Sequence, residues 1–331
     1  MADYININGN NIPIRASDPS NPILGEVWYN LTSRTLKGQA FVTANVVSSG
    51  NVNTARTQAG GVGTLTAGII FGGEIPALTG ATEEYDGSTW TAGGTCPAQK
   101  SDMHSSGTQT AALWGGGSPL SSGSFEYDGS TWTSGGSMTF SGRDFYSGSA
   151  GTQTAALQIG GFINPGNYSN VMQEYNGSTW TNIPQTYPSA PQTNNIATTG
   201  TQTACISSGG TQGTPDQTQS QEWNGSTWTA VNSLATGIRS AVANGTVASC
   251  NLISGSPPSN PPYYDTGIQT YDGTSWAVSP VTLSTGRSQA TGGGSGTSAF
   301  VTCGSDGTPD YTNTTEIFTD TGPAIVTFSS S

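Results

Sequence analysis

The chain has 331 residues, with 8 Lys plus Arg, 20 Asp plus Glu and a formal net charge of −12; only 8% of its residues are charged, against roughly 25% in ordinary globular domains. So few, scattered cations cannot build the basic face that nucleic acid requires, and no apolar run approaches the roughly 18 residues of a membrane span. The 47 glycines and the missing helix-forming runs exclude a mainly helical fold, and the 8 Trp argue against aromatic-poor disorder, which leaves an all-β chain.

At the front, Met1–Asn10 reads MADYININGN and carries no charged-then-apolar leader. Tyr4-Ile5-Asn6-Ile7 alternates as a strand and Asn8-Gly9 marks a turn. Asp18-Pro19-Ser20-Asn21-Pro22 is incompatible with a helix interior. Gly25–Asn30 and Arg34–Gly38 read as two strands around a short turn. The run of Pro19, Asn21, Pro22, Gly25, Trp28, Tyr29, Asn30, Thr32, Leu36 and Lys37 resembles a segment found near the front of many tailed-phage virion proteins. That resemblance implies a virion-attachment segment over residues 1–38. Tyr4, Ile5, Ile7, Trp28 and Tyr29 are its candidate contacts with other virion proteins.

Beyond residue 38 the chain repeats. Glu84-Tyr85-Asp86-Gly87-Ser88-Thr89-Trp90 recurs with its Trp at 132, 180, 228 and 276, the last copy being looser. A second string precedes each copy, as in GTQTAALWGGG from Gly107, and appears six times. The second string reads as an inner strand ended by a Gly pair. Glu-Tyr reads as the next strand, Asp-Gly or Asn-Gly as a two-residue type I′ turn, and Ser-Thr-Trp-Thr as the outer strand. The connections carry basic residues, namely Arg56, Lys100, Arg143, Arg239 and Arg287. Four strands per repeat is the pattern of a propeller blade. The order of basic residue, apolar strand, Gly-Gly, variable loop, Glu-Tyr-Asp and Trp resembles the kelch repeat. The resemblance implies an all-β fold: a six-bladed kelch-like β-propeller over 39–331, with the short N-terminal hairpin segment attached. The ring needs a closing strand, expected at about 39–47, with 324–329 as the alternative.

The candidate chemistry is sparse. His104 is the chain's one histidine, so a catalytic Ser-His-Asp unit or a zinc site has little to draw on, and it reads as a packing residue. Cys96, Cys205, Cys250 and Cys303 lack CxxC spacing and read as small buried apolar groups. The periodic Asp/Asn, Trp and Arg residues read as turn, packing and hydrogen-bonding positions. The variable loops after each Gly-Gly are the candidate ligand rim, through Phe162, Asn164, Tyr168, Tyr263, Tyr264, Asp265, Asp310 and Tyr311. Tyr beside Asp and Asn offers stacking and directional hydrogen bonds, which suits carbohydrate. No cofactor and no metal are expected.

These readings predict a non-enzymatic structural protein of a bacteriophage virion, a tail-fibre or appendage component. It would display the propeller to host-surface glycan or to a neighbouring subunit. A carbohydrate-active propeller enzyme, a capsid decoration protein and a bacterial surface adhesin are the alternatives. The expected partners are other virion proteins and glycan, with no nucleic acid and no membrane insertion; monomer and homo-oligomer stay open. The expected location is the virion, assembled in the host cytoplasm.

Overall fold

A computed structural model describes residues 12–20, 22–23, 25–139, 148–163, 167–188, 195–211, 216–257, 264–307, 311–320 and 322–328, with the backbone alone at 41–42, 162–163, 167–168 and 323–326. Among the described residues every regular element is a strand. The chain divides into two compact units, a small one from 1–45 with 320–331 and a large one from 46–319.

The large unit contains six four-stranded sheets, here blades I to VI. Their innermost strands are Gly60–Thr64, His104–Thr108, Gly148–Thr152, Ala197–Thr201, Val242–Thr246 and Thr291–Gly294. Each touches the next in order, and the last touches the first. The sheets themselves are open; packing of blade on blade, and no continuous ladder, joins them.

The repeated strings fold differently from the expectation in two places. GTQTAAL is a hairpin and not one inner strand: Thr108 pairs with Ala111 across the two-residue turn Gln109-Thr110. The turn glutamine reaches the preceding blade. Gln153 Nε2 donates to Ala112 O at 3.0 Å and to Tyr127 O at 2.7 Å. Gln109 and Gln202 do the same in their blades. The Asp-Gly turn, in contrast, is a four-residue loop, because Tyr85 pairs with Trp90. Only Gly87 has positive φ there (100°); Asp86 does not. Asp86 Oδ1 instead accepts from Ser88 N and Thr89 N, both at 2.8 Å, an Asx turn in place of type I′. The Gly pair does need glycine. Gly72 and Gly73 have φ of 62° and 97°, and a Cβ on Gly73 would lie 2.7 Å from Thr57 O.

The Trp and Glu-Tyr positions bind one blade to the next. Trp132 Nε1 donates to Thr82 Oγ1 of blade I at 2.9 Å, and Trp90 Nε1 to Thr315 Oγ1 of blade VI at 3.1 Å. Tyr127 Oη donates to Glu84 Oε1 at 2.5 Å and Tyr271 Oη to Glu222 Oε1 at 2.9 Å; Tyr175 bonds Glu126 in the same way. Burial, followed by the hydrogen bond to the carboxylate, pushes the Tyr127 and Tyr175 hydroxyls up to about 12.

The basic residues fall into different roles. Arg56 and Arg287 are fully buried and pair with Glu83 and Glu316. Arg239 is partly exposed and bonds Asp216 at 2.8 Å, and Lys100 reaches Pro119 O. Arg143 lies outside the described residues.

Blade VI takes its fourth strand, Asn45–Ser49, from the front of the chain. The expected closing segment at about 39–47 is thus divided. Gln39–Val42 continues the strand Thr35–Val42, which pairs with Gly322–Phe328 in the small unit. The ladder runs past Gly38, whose missing side chain leaves room for the Phe328 ring, 2.9 Å from where a Cβ would sit.

The small unit is one sheet in the order Ile14–Arg15, Val27–Asn30, Thr35–Val42, Gly322–Phe328, with the first pair parallel and the others antiparallel. Its centre is Asp18. Trp28 Nε1 and Asn30 Nδ2 donate to Asp18 Oδ1 at 3.0 and 2.6 Å, and Lys37 Nζ donates to Oδ2 at 2.7 Å. Lys37 first, then Asn30 and Trp28, hold this carboxyl down at about 2. Its folded value lies below its ordinary 3.8, so its contribution is present above that value and is lost as pH falls through about 2. Amide hydrogen exchange across residues 27–42 is therefore expected to accelerate as pH drops from 4 towards 2, beyond the intrinsic chemical rate. Asp18→Asn should abolish that step; an unchanged step in the variant would assign it elsewhere.

Candidate binding rim and channel

Of the eight candidate rim residues, Asn164, Tyr263 and Asp310 lie outside the described residues. Phe162 and Tyr168 are register partners across one hairpin of blade III, where the backbone alone is described. Tyr264, Asp265 and Tyr311 are placed in full. Tyr264 is half-buried and leans from blade V onto the loop of blade VI, with its hydroxyl 3.4 Å from Ser305 Oγ. Its ring occupies the space a side chain at Gly307 would need, 2.7 Å from that Cβ position. The same blade VI loop leads to half-buried Tyr311, next to Thr312, whose N–H donates to Gly304 O at 2.9 Å. Tyr264 and Tyr311 are thus both attached to one loop system. Asp265 is engaged locally: Oδ1 accepts from Gly267 N at 2.9 Å, and its backbone bridges Arg287. It orders the loop, and its Oδ1 is not free for a ligand.

The attachment candidates separate likewise. Tyr4, Ile5 and Ile7 lie outside the described residues, and Tyr29 is half-buried. Trp28 is completely buried, with its indole N–H on Asp18, so its side chain presents no surface to a partner.

One feature escaped the sequence reading. The six innermost strands enclose a cavity of about 360 Å³. At corresponding positions along it stand Gly61, Ser105, Ser149, Thr198, Ala243 and Gly292, and Asp102 is the one charged residue among its described lining. Five residues before Gly63, Gly107, Gly200, Gly245 and Gly294, which share one register on the innermost strands, Gln58, Asp102, Asn195, Ser240 and Gln289 all adopt φ of 53–57°. Their backbones pass a hydrogen bond from blade to blade: Gln58 N to Gln289 O at 3.1 Å, Asp102 N to Gln58 O at 2.9 Å, and Ser240 N to Asn195 O at 3.1 Å. The signal was available as a non-glycine residue at a fixed offset from the repeat glycine, but its identity changes from blade to blade. Apart from Asp102 the described lining is uncharged, with Ser105, Ser149 and Thr198 as its hydroxyl-bearing positions among the six, which suits water and polar groups.

The thiols offer no nucleophile at neutral pH. Burial raises all four, Cys96 and Cys250 to about 12 and Cys303 to about 11, and Cys205 is raised as well. His104 is buried on the innermost strand of blade II, its ring 5.8 Å from that of Trp180. Among the described residues no three His, Cys, Asp or Glu side chains gather as a metal site would require.

The fold has a counterpart among solved structures. The chain superposes on the protein described as "Structure of YjhT" with a TM-score of 0.64 at 12% identity, over 85% of this chain and 99% of that one. This likeness concerns the fold alone, an all-β propeller-like arrangement of four-stranded blades. No known family profile matches the chain, and no curated protein matches it in sequence.

Proposed function

We propose that the chain is a structural component of a tailed-phage virion, held to neighbouring virion proteins by its small unit and presenting the propeller-like unit to host-surface glycan. The observation that carries this reading is the convergence of Trp28, Asn30 and Lys37 on Asp18. These three belong to the segment that resembles phage virion proteins, and their common anchor makes that segment the centre of a folded module separate from the blades. The glycan side rests on Tyr264 and Tyr311 on one rim loop system, where half-exposed rings offer sugar a stacking surface. Propeller folds also carry enzymes, so fold does not decide the matter. A binding role is favoured because the thiols are protonated and Asp265 is committed to its own loop.

Two measurements test the proposal. Antibodies to the purified protein should label intact phage particles at their surface; particles that lack the protein overturn the virion assignment. Purified protein should bind host envelope polysaccharide, and Tyr264→Ala with Tyr311→Ala should weaken that binding by on the order of tenfold, about 1.4 kcal/mol. Equal binding by the variant overturns the rim assignment alone.

A further inference from the structure

Among the described residues the strand Gly322–Phe328 is a sheet edge. It ends the order of the small unit's sheet and is laddered on one side only, from Leu36↔Phe328 to Val42↔Gly322. Natural edge strands are usually short, bulged or studded with lysine, which blocks pairing with other chains. This one runs seven residues, GPAIVTF, with no charge, and Pro323 near its start is its sole blunting residue. The opposite edge, Ile14–Arg15, is two residues long and carries a cation.

Two further observations point to the same unit. Ile12, Ile14, Ile23, Leu31 and Phe328, five of the seven exposed large apolar side chains among the described residues, belong to it; only Val47 and Val278 lie in the blades. Charge is partitioned as well. The small unit's segments hold 3 basic and 4 acidic residues, net −1, whereas 46–319 holds 5 and 16, net −11. Two copies repel each other through their blades and meet least repulsion at the small unit.

We propose that Gly322–Phe328 is a self-association site, pairing antiparallel with the same strand of a second copy of this chain. The contact is isologous, so one edge serves twice, and the two four-stranded sheets become one of eight strands. An uncharged strand brings no like charges opposite one another, and both partners have equal length. The two-residue edge at Ile14–Arg15 is too short to serve as the partner. This inference stands independently of the virion reading.

Sedimentation of the full chain across rising micromolar concentration tests it. The expected mass rises to about 67 kDa, twice the 33.7 kDa of one chain. Over the same range, amide exchange in a peptide covering 322–328 should slow by on the order of tenfold, while exchange in the blades stays constant. Ile325→Lys places like charges at the contact and should keep the protein monomeric. If that variant unfolds the small unit, Thr327→Glu, at an exposed position, is read instead, with exchange of residues 35–42 reporting that the sheet persists. A monomer at every concentration, a trimer, or a dimer with unchanged exchange at 322–328 overturns the proposal.

Discussion

Arg56→Ala is expected to lower the melting temperature by on the order of 10 °C, and a matched second change should recover most of that loss. Arg56 is fully buried and donates to Glu83, to Ala81 O at 3.0 Å and to Gly72 O at 3.3 Å. Glu83 in turn holds Asn53 through its backbone N–H and its amide, both at 2.7 Å. Removing one member of a buried pair leaves the other charge without its partner, which costs about 3–5 kcal/mol. Blade V shows how the site works without charge. Ile238 occupies the position of Arg56 and Gln269 that of Glu83, and Gln269 Oε1 accepts from Ala235 N at 2.9 Å just as Glu83 accepts from Asn53. The double variant Arg56→Ile with Glu83→Gln copies this arrangement. Calorimetry should find it much closer to the parent than Arg56→Ala. Equal losses in both would show that the carbonyl contacts, and not the stranded carboxylate, set the cost.

Trp132→Ala should destabilise the large unit by about 3–5 kcal/mol, the usual cost of emptying a core Trp site. Its ring lies 4.8 Å from Phe71 edge-on, 5.0 Å from Tyr127 and 6.0 Å from Trp114. It therefore joins blades I and II, and its N–H reaches buried Thr82. Trp132→Phe preserves much of the ring packing but leaves the Thr82 hydroxyl unpaired, at roughly 1–3 kcal/mol. A cycle with Thr82→Val isolates the hydrogen bond from the packing. Urea titration supplies the values. A loss below about 0.5 kcal/mol for Trp132→Ala, typical of a surface change, would remove Trp132 from the interface between blades.

The repeat spacing carried the four-stranded blades because five of the six periods contain their own turn residues and their own Trp. The interior of the period was harder to read. GTQTAAL looks like one strand because small and apolar residues continue through it. Its turn is stabilised by Gln109, Gln153 and Gln202 docking on another blade, which is a tertiary cause with no local pattern. The Asp-Gly pair suggested a type I′ turn; the next two residues decided otherwise, since Ser88 and Thr89 give the Asp86 carboxylate four hydrogen bonds. The basic residues seemed equivalent until placed in register. Arg56 and Arg287 lie seven residues before a repeat glycine and face Glu, whereas Arg239 lies six before and faces Asp216. In the front segment Trp28, Asn30 and Lys37 were visible as a motif, but Asp18, which joins them, was seen only as part of a helix-breaking run. On the rim, Tyr264 stands out in sequence only as a loop tyrosine; that it rests on blade VI depends on Gly307 having no side chain.

The strand Asn45–Ser49 also sets a timetable for synthesis. About 270 residues of chain separate it from its partner Thr315–Thr319. At roughly 5–20 residues per second, a ribosome takes about 15–55 seconds to supply that partner. Throughout this interval blades I to V can form in order, each with its strands in hand, while Asn45–Ser49 waits beside them. The segment 315–328 then completes two sheets almost at once, blade VI and the small unit. A nascent chain released early is incomplete in both, and it exposes open strand edges that cellular proteases and chaperones recognise. Both ends of the polypeptide must be present before either unit is whole.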